Sequence, residues 1–381
     1  MTNSAEAAFI LGCVRASAPD SGTSPAPRPS DIHNWSALGD LAERHRVAAL
    51  VLDSLTRRQL TAPADVVTRL VSAAARARGH AMRLQAILLD VASVMSSEGI
   101  PLLVLKGPAL STTLYASAAF RPYDDLDLTV REQDEAAAVA VLSRCGFGEL
   151  NDEQEDAWLR AAGDLVARPP FHRRFVDPSG QLLLELHTDP LQLGLSPVCE
   201  PERWQRARPL PTVPGCLMLC PEDQLVQLSV HAHKHGFSRL IWLKDIDLLL
   251  RAGGDALDWD LVLNVARREG VCGSIWYSLL LAGKLLHTPV PATELRRLRP
   301  APWIRALYRV AWPCRQIAAL DGQMRRRAVQ VCGADSWRGT LPSLLWMGRR
   351  GARARMSLNL TRTLLRPRAV PLPLDGLSAG R

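Results

Sequence analysis

The sequence predicts an α+β protein: a small mixed β-sheet core flanked by an N-terminal and a C-terminal helical region. Three observations carry this. Leu102–Leu105 is an unbroken apolar run, the mark of a strand buried on both faces. Two later segments have the period of two expected of strands: Leu126, Leu128 and Val130 alternate with Asp125, Asp127 and Thr129, and Leu182, Leu184 and Leu186 with Leu183, Glu185 and His187. On either side of these segments the apolar residues recur at helical spacing instead.

Taken in order, residues 1–16 predict a short helix, and 17–31, rich in Pro, Ser and Gly, a linker. Asn34 is a cap for a helix from Trp35 to about His45, Val47–Leu60 continues as helix, and 65–97 holds one or two more. Residues 1–97 are thus the N-terminal helical region and 98–190 the core. In the core, Gly99-Ile100-Pro101 leads into the first strand, Pro108–Tyr115 is a short helix and Ala116–Tyr123 a loop. Glu132–Arg144 reads as an amphipathic helix and Phe147–Leu150 as a strand edge. Asn151–Gly163 reads as helix and loop, and Phe171–Val176 pairs with Gln181–His187 through the Asp177-Pro178-Ser179-Gly180 turn. Beyond Pro190 the pattern is helical: a C-terminal domain over 191–365 ends in a basic helix, Arg349–Leu365, and 366–381 is a disordered tail.

A length of 381 residues with 47% apolar content allows two or three domains with real cores. No apolar run is long enough to span a membrane, and the N-terminus lacks the basic start of a secretory signal. The eight cysteines are scattered without a Cys-x-x-Cys, which suits reduced thiols and a cytoplasmic setting. A net charge of +8 would suggest nucleic acid, but the chain has only four lysines (106, 234, 244 and 284), and so general an arginine bias reads as codon composition. In a chain so poor in lysine, Lys106 at the end of a strand is placed for a purpose, and its ammonium suits a phosphate.

The chemistry concentrates between 101 and 130. Lys106-Gly107 ends the first strand, and a glycine there permits a sharp turn and close approach of a ligand. The free amides of the helix that follows would suit phosphate. Asp125 and Asp127, two apart on a strand, point the same way, and like charges so close call for a cation. Mg²⁺ takes such oxygen ligands together with substrate phosphates, and the chemistry that uses this layout is phosphoryl or nucleotidyl transfer with two metal ions.

The order Leu105-Lys106-Gly107, Leu114-Tyr115, Arg121-Pro-x-x-Asp125-Leu-Asp127-Leu128 resembles the uncharacterised nucleotidyltransferase family of the polymerase-beta superfamily. The chain has Lys106-Gly107-Pro108 where that superfamily has a Gly-Ser turn, a departure the family shares. The resemblance implies a small nucleotidyltransferase core at 98–190 in which Asp125 and Asp127 hold two Mg²⁺ ions. It assigns the NTP to the turn and its surroundings: Lys106, Gly107, Ser111 and Arg121. Arg121 either meets a phosphate or pairs with a core aspartate. A Glu-Leu-His like Glu185-Leu186-His187 recurs in the family, which makes Glu185 the third carboxylate, metal ligand or base, against the alternative of a solvent-facing edge-strand Glu. His187 stands behind the metal ligands or makes a structural hydrogen bond. His235 and Asp245 match polar residues of the family's C-terminal helices and are assigned supporting roles near the site. His45, of an Arg44-His45 pair that also recurs, reads as buried or capping.

The implied reaction moves a nucleoside monophosphate from an NTP to a hydroxyl or phosphate acceptor, which is a small molecule, a peptide or a protein. The alternative is a non-catalytic nucleotide- or partner-binding protein on the same fold. A metallohydrolase built on His231, His233 and His235 is a weaker rival, because on a helix 231 and 235 share a face while 233 points away. Nothing resembles a template-binding module, which argues against a nucleic-acid polymerase.

Overall fold

A computed structural model describes residues 5–17, 28–150, 172–191 and 201–311. The expected helix and loop at 151–163, the basic helix at 349–365, the tail and most of the linker lie outside the described residues.

The first four helices are α1 (Ala5–Ala16), α2 (Trp35–Arg44), α3 (Ala48–Arg57) and α4 (Ala64–Ser97). Asn34 caps α2, its Oδ1 accepting from the Ala37 amide at 2.9 Å. The segment read as one or two helices is a single one of 34 residues. Two different surfaces hold it: Val66 and Leu70 pack among the other helices, while Leu84, Leu88, Val91 and Met95 pack on the sheet. Continuity across Gly79, where a helix loses roughly 1 kcal/mol relative to Ala, follows from burial at both ends.

The core supplies β1 (Leu102–Val104), α5 (Gly107–Thr113), β2 (Asp125–Thr129), α6 (Glu135–Arg144), β3 (Gly148–Glu149), β4 (His172–Val176) and β5 (Leu183–His187). Then come α7 (Pro201–Arg206), β6 (Arg208–Pro209), β7 (Cys216–Met218), α8 (Pro221–Lys234), α9 (Leu240–Gly253), α10 (Trp259–Glu269), α11 (Cys272–Leu286), α12 (Ala292–Arg297) and α13 (Pro302–Ala311). Among the described residues the sheet is mixed, with seven strands in the order β3-β4-β5-β2-β1-β7-β6. β2 runs parallel to β5 and antiparallel to β1, and β4 and β5 form the expected hairpin.

Two strands correct the expectation of helix throughout beyond Pro190. β7 adds to the sheet parallel to β1, and β6 closes the edge with Pro209 in it, as edge strands allow. Cys216–Met218 is too short to show a period of its own, so only its pairing with β1 and β6 makes it a strand.

One face of the sheet is apolar: Leu126, Leu128, Leu184 and Leu186 pack with α4 and with Ala138, Val141 and Leu142 of α6. The other face carries the acidic row. The turn into α5 differs from the sequence reading in one respect. The left-handed backbone falls on Lys106 (φ 47°), while Gly107 is already helical. Glycine is required at 107 by packing, because a Cβ there would lie 2.5 Å from Tyr123 Cβ. Gly107→Ala should therefore lower stability by about 1–3 kcal/mol in denaturant unfolding. In the double variant with Tyr123→Ala the loss should be smaller than the sum of the two single losses; strict additivity would disprove the steric account.

Candidate functional site

Parallel pairing sets Asp127 opposite Glu185 and Thr129 opposite His187. The acidic face therefore presents Asp125, Asp127 and Thr129 beside Leu183, Glu185 and His187. Asp127, Glu185 and His187 converge, one ligand atom from each lying within 4.8 Å of the others, and no other such trio occurs among the described residues. His187 Nε2 is 3.2 Å from Asp127 Oδ1 and 3.5 Å from Glu185 Oε2. This N,O,O donor set fits a divalent cation.

Like charges packed this closely must be offset. Lys106 Nζ lies 2.9 Å from Asp127 Oδ2, and Arg174 Nε donates to Glu185 Oε1 at 2.7 Å. Burial works against the Asp127 carboxylate, but Lys106 and His187 outweigh it and hold its pKa below the ordinary range. Burial also opposes a charged His187, yet its bonds to Asp127 and Glu185 raise its pKa. Asp125, at the start of the row, makes no such bond. Burial, then the charges of Asp127 and Glu185, push its pKa up to about 7.

The C-terminal end of α8 faces the row. Lys106 Nζ reaches His231 Nδ1 at 3.4 Å. His231 and His235 lie ring to ring, with centroids 4.7 Å apart, and both pack on Trp242 of α9. Burial, reinforced by Lys106 at His231 and by Lys234 at His235, drives both imidazoles well below their usual pKa. A neutral His231 is then an acceptor for Lys106. His233 turns the other way, its Nδ1 2.7 Å from Ser274 Oγ and its ring stacked on Phe237. Among the described residues His231 and His235 join no third metal ligand, which leaves the metallohydrolase without a site.

The remaining assigned residues are held by the protein itself. Arg121 gives both oxygens of Asp245 a hydrogen bond (2.7 and 2.8 Å), and Tyr115 Oη donates to the same carboxylate at 2.7 Å. Arg121 pairs with an aspartate, but one of α9 rather than of the 98–190 core, and Asp245 thereby anchors the loop leading into β2. Ser111 is buried, its hydroxyl donating to the Pro108 carbonyl at 3.1 Å. His45 is buried too, and its Nδ1 accepts the Leu240 amide at 3.3 Å at the start of α9.

Sequence reasoning missed several cations. Lys234 lies in the field of Glu185 and Asp127, its pKa lowered by burial and by Lys106. Arg46 pairs with Asp124, just before the acidic row, and Arg239 approaches the same carboxylate at 3.6 Å. Two signals were present: the scarcity of lysine singles out Lys234 as it does Lys106, and the hairpin turn sets Arg174 opposite Glu185.

Residues 31–287, from just before α2 to the end of α11, match the model of a family described as uncharacterised nucleotidyltransferase. The chain belongs to this family. No curated protein matches it. Membership makes nucleotidyl transfer its general reaction class and an NTP the implied substrate. Among the described residues, no helix of this nucleotidyltransferase is long and apolar enough to cross a membrane.

Two stability tests follow from the site. With its folded pKa raised to about 7, Asp125 favours the fold when protonated, and that contribution is lost as pH rises through 7. Metal-free wild type should therefore lose stability relative to Asp125→Asn between pH 5 and pH 8, by about 1–2 kcal/mol given partial solvation of the group. Urea melts at the two pH values measure this, and equal slopes would reject it. Asp245→Ala leaves Arg121 buried without its partner and should cost about 3–5 kcal/mol. Unfolding midpoints within error of wild type would show that the anchor is dispensable.

Proposed function

We propose that this protein transfers a nucleoside monophosphate from an NTP to a hydroxyl or phosphate acceptor and releases pyrophosphate. The observation that supports this most directly is the acidic row itself. Asp127 and Glu185 stand side by side on parallel strands, with Asp125 two residues away on the same face. In this reading Asp125, Asp127 and Glu185 hold two Mg²⁺ ions. Bound there, the ions lower the pKa of the acceptor hydroxyl and neutralise the leaving pyrophosphate.

The acceptor oxygen bonds to the α-phosphorus, the bridging α–β P–O bond breaks, and pyrophosphate leaves with the electron pair. Glu185 completes the ligand set or takes the acceptor's proton. Lys106, Lys234 and Arg239 offset the charge that builds on the phosphates. Gly107 and the first amides of α5 line the phosphate side. Ser111 and Arg121 serve by holding α5 and the loop before β2. The acceptor is a small molecule, a peptide or a protein side chain, and the scattered cysteines, without a Cys-x-x-Cys, support the cytoplasm as the compartment.

Pyrophosphate release tests the proposal, with each NTP in turn, Mg²⁺ and a cell-extract pool of acceptors. Wild type should release pyrophosphate only with Mg²⁺, and Asp125→Ala/Asp127→Ala should lose at least about 1,000-fold, the scale of removing a main electrostatic contribution. If wild type consumes no NTP and the variant is indistinguishable from it, a nucleotide- or partner-binding protein on this fold takes its place.

A further inference from the structure

The two ends of the acidic row differ in chemistry. The outer end is Asp125, partly exposed and an oxygen donor only. The inner end adds a nitrogen. His187 is buried, one register step beyond Glu185, and turns Nε2 back toward both carboxylates.

The orientation of those carboxylates is controlled from behind. Lys106 sits on Asp127 Oδ2 and Arg174 on Glu185 Oε1, and each carboxylate meets His187 through its other oxygen, Oδ1 and Oε2. Cations placed in this way act as outer partners that aim ligands. The resulting N···O separations, 3.2 and 3.5 Å, suit two ligands of one ion. Neighbouring ligands at about 2.1 Å from an octahedral ion lie about 3.0 Å apart, and a slightly larger ion spreads them further. A second observation comes from Thr129, the register partner of His187. It is fully buried, and its hydroxyl has no hydrogen-bond partner. Such a group is costly to bury unless a bound water or ligand meets it.

We propose that the inner of the two ion positions, formed by Asp127, Glu185 and His187 with His187 Nε2 a direct ligand, takes a transition-metal ion of the Mn²⁺ type in preference to the Mg²⁺ of the proposed function, which is kept at the outer position at Asp125. An imidazole donor favours Mn²⁺, Fe²⁺, Co²⁺ or Zn²⁺ over Mg²⁺, which takes hard oxygens and keeps its waters. The unpartnered Thr129 hydroxyl stands on the same strand face as these ligands. The ion's part in transfer rests on the proposed function; its binding does not.

The test is Mn²⁺ bound to the full-length, nucleotide-free protein, read by pulsed electron paramagnetic resonance for nitrogen coupling and by titration for affinity. Wild type should show coupling from one coordinated imidazole, and about 10-fold or more excess Mg²⁺ should be needed to displace Mn²⁺. His187→Gln should lose the coupling and at least about 10-fold in Mn²⁺ affinity. His231→Gln should keep both. If His187→Gln fails to fold, wild type carrying ¹⁵N-histidine decides, since the coupling changes only if a histidine is the ligand. Absence of Mn²⁺ binding, binding without nitrogen coupling, coupling that survives in His187→Gln, or displacement by Mg²⁺ on equal terms would each overturn the proposal. Pyrophosphate release from a protein whose Mn²⁺ signal lacks nitrogen would remove the inner site and keep nucleotidyl transfer. Nitrogen coupling in a protein that consumes no NTP would do the reverse.

Discussion

The parallel pairing of β2 with β5 is the constraint on which the rest of the structure depends. It brings Asp127 and Glu185 level with each other on one face of a sheet whose other face is apolar core. Two carboxylates in such a setting repel, and burial deepens the penalty. The protein answers with cations from separate elements, Lys106 from the turn before α5 and Arg174 from the neighbouring strand β4, while His187 of β5 itself approaches both carboxylates. The site is thus an acidic row inside a basic frame, which suits it to exchange protein cations for metal ions and phosphates.

The helical regions belong to this frame. Arg121 and Tyr115, just before the acidic strand, are tied to Asp245 of α9. The start of α9 is tied in turn to His45, between α2 and α3. Leu38 and Leu50 from the N-terminal helices share one apolar cluster with Ile241 and Tyr277 from the C-terminal ones. The N-terminal helices therefore bear on the site through α9. A substitution far from the carboxylates, at His45 or Asp245, acts on the same loop that delivers Asp125.

Local pattern was enough for a good part of this. Alternation put Asp125 with Asp127, and Glu185 with His187, each pair on one face of its own strand, and helical spacing put His233 on the side away from His231 and His235. It also placed Asn34 at the start of α2. What local pattern missed has a common cause, since each case depends on a partner distant in sequence. β7 is a strand only against its neighbours β1 and β6. Gly107 must be glycine because of Tyr123, not because its own backbone demands it. Arg121 is neutralised by a residue 124 positions away, and nothing near it foretells that partner.

By itself, then, the amino-acid sequence determined the α+β class, the faces of the strands and the acidic and basic residue types gathered at the candidate site. Those follow from side-chain period and charge, properties of a few consecutive residues. The tertiary structure alone decided which carboxylates stand together, which cations orient them and which end of the row carries a nitrogen. Strand register and helix packing set these, and both are resolved only when distant segments bury their apolar faces against one another.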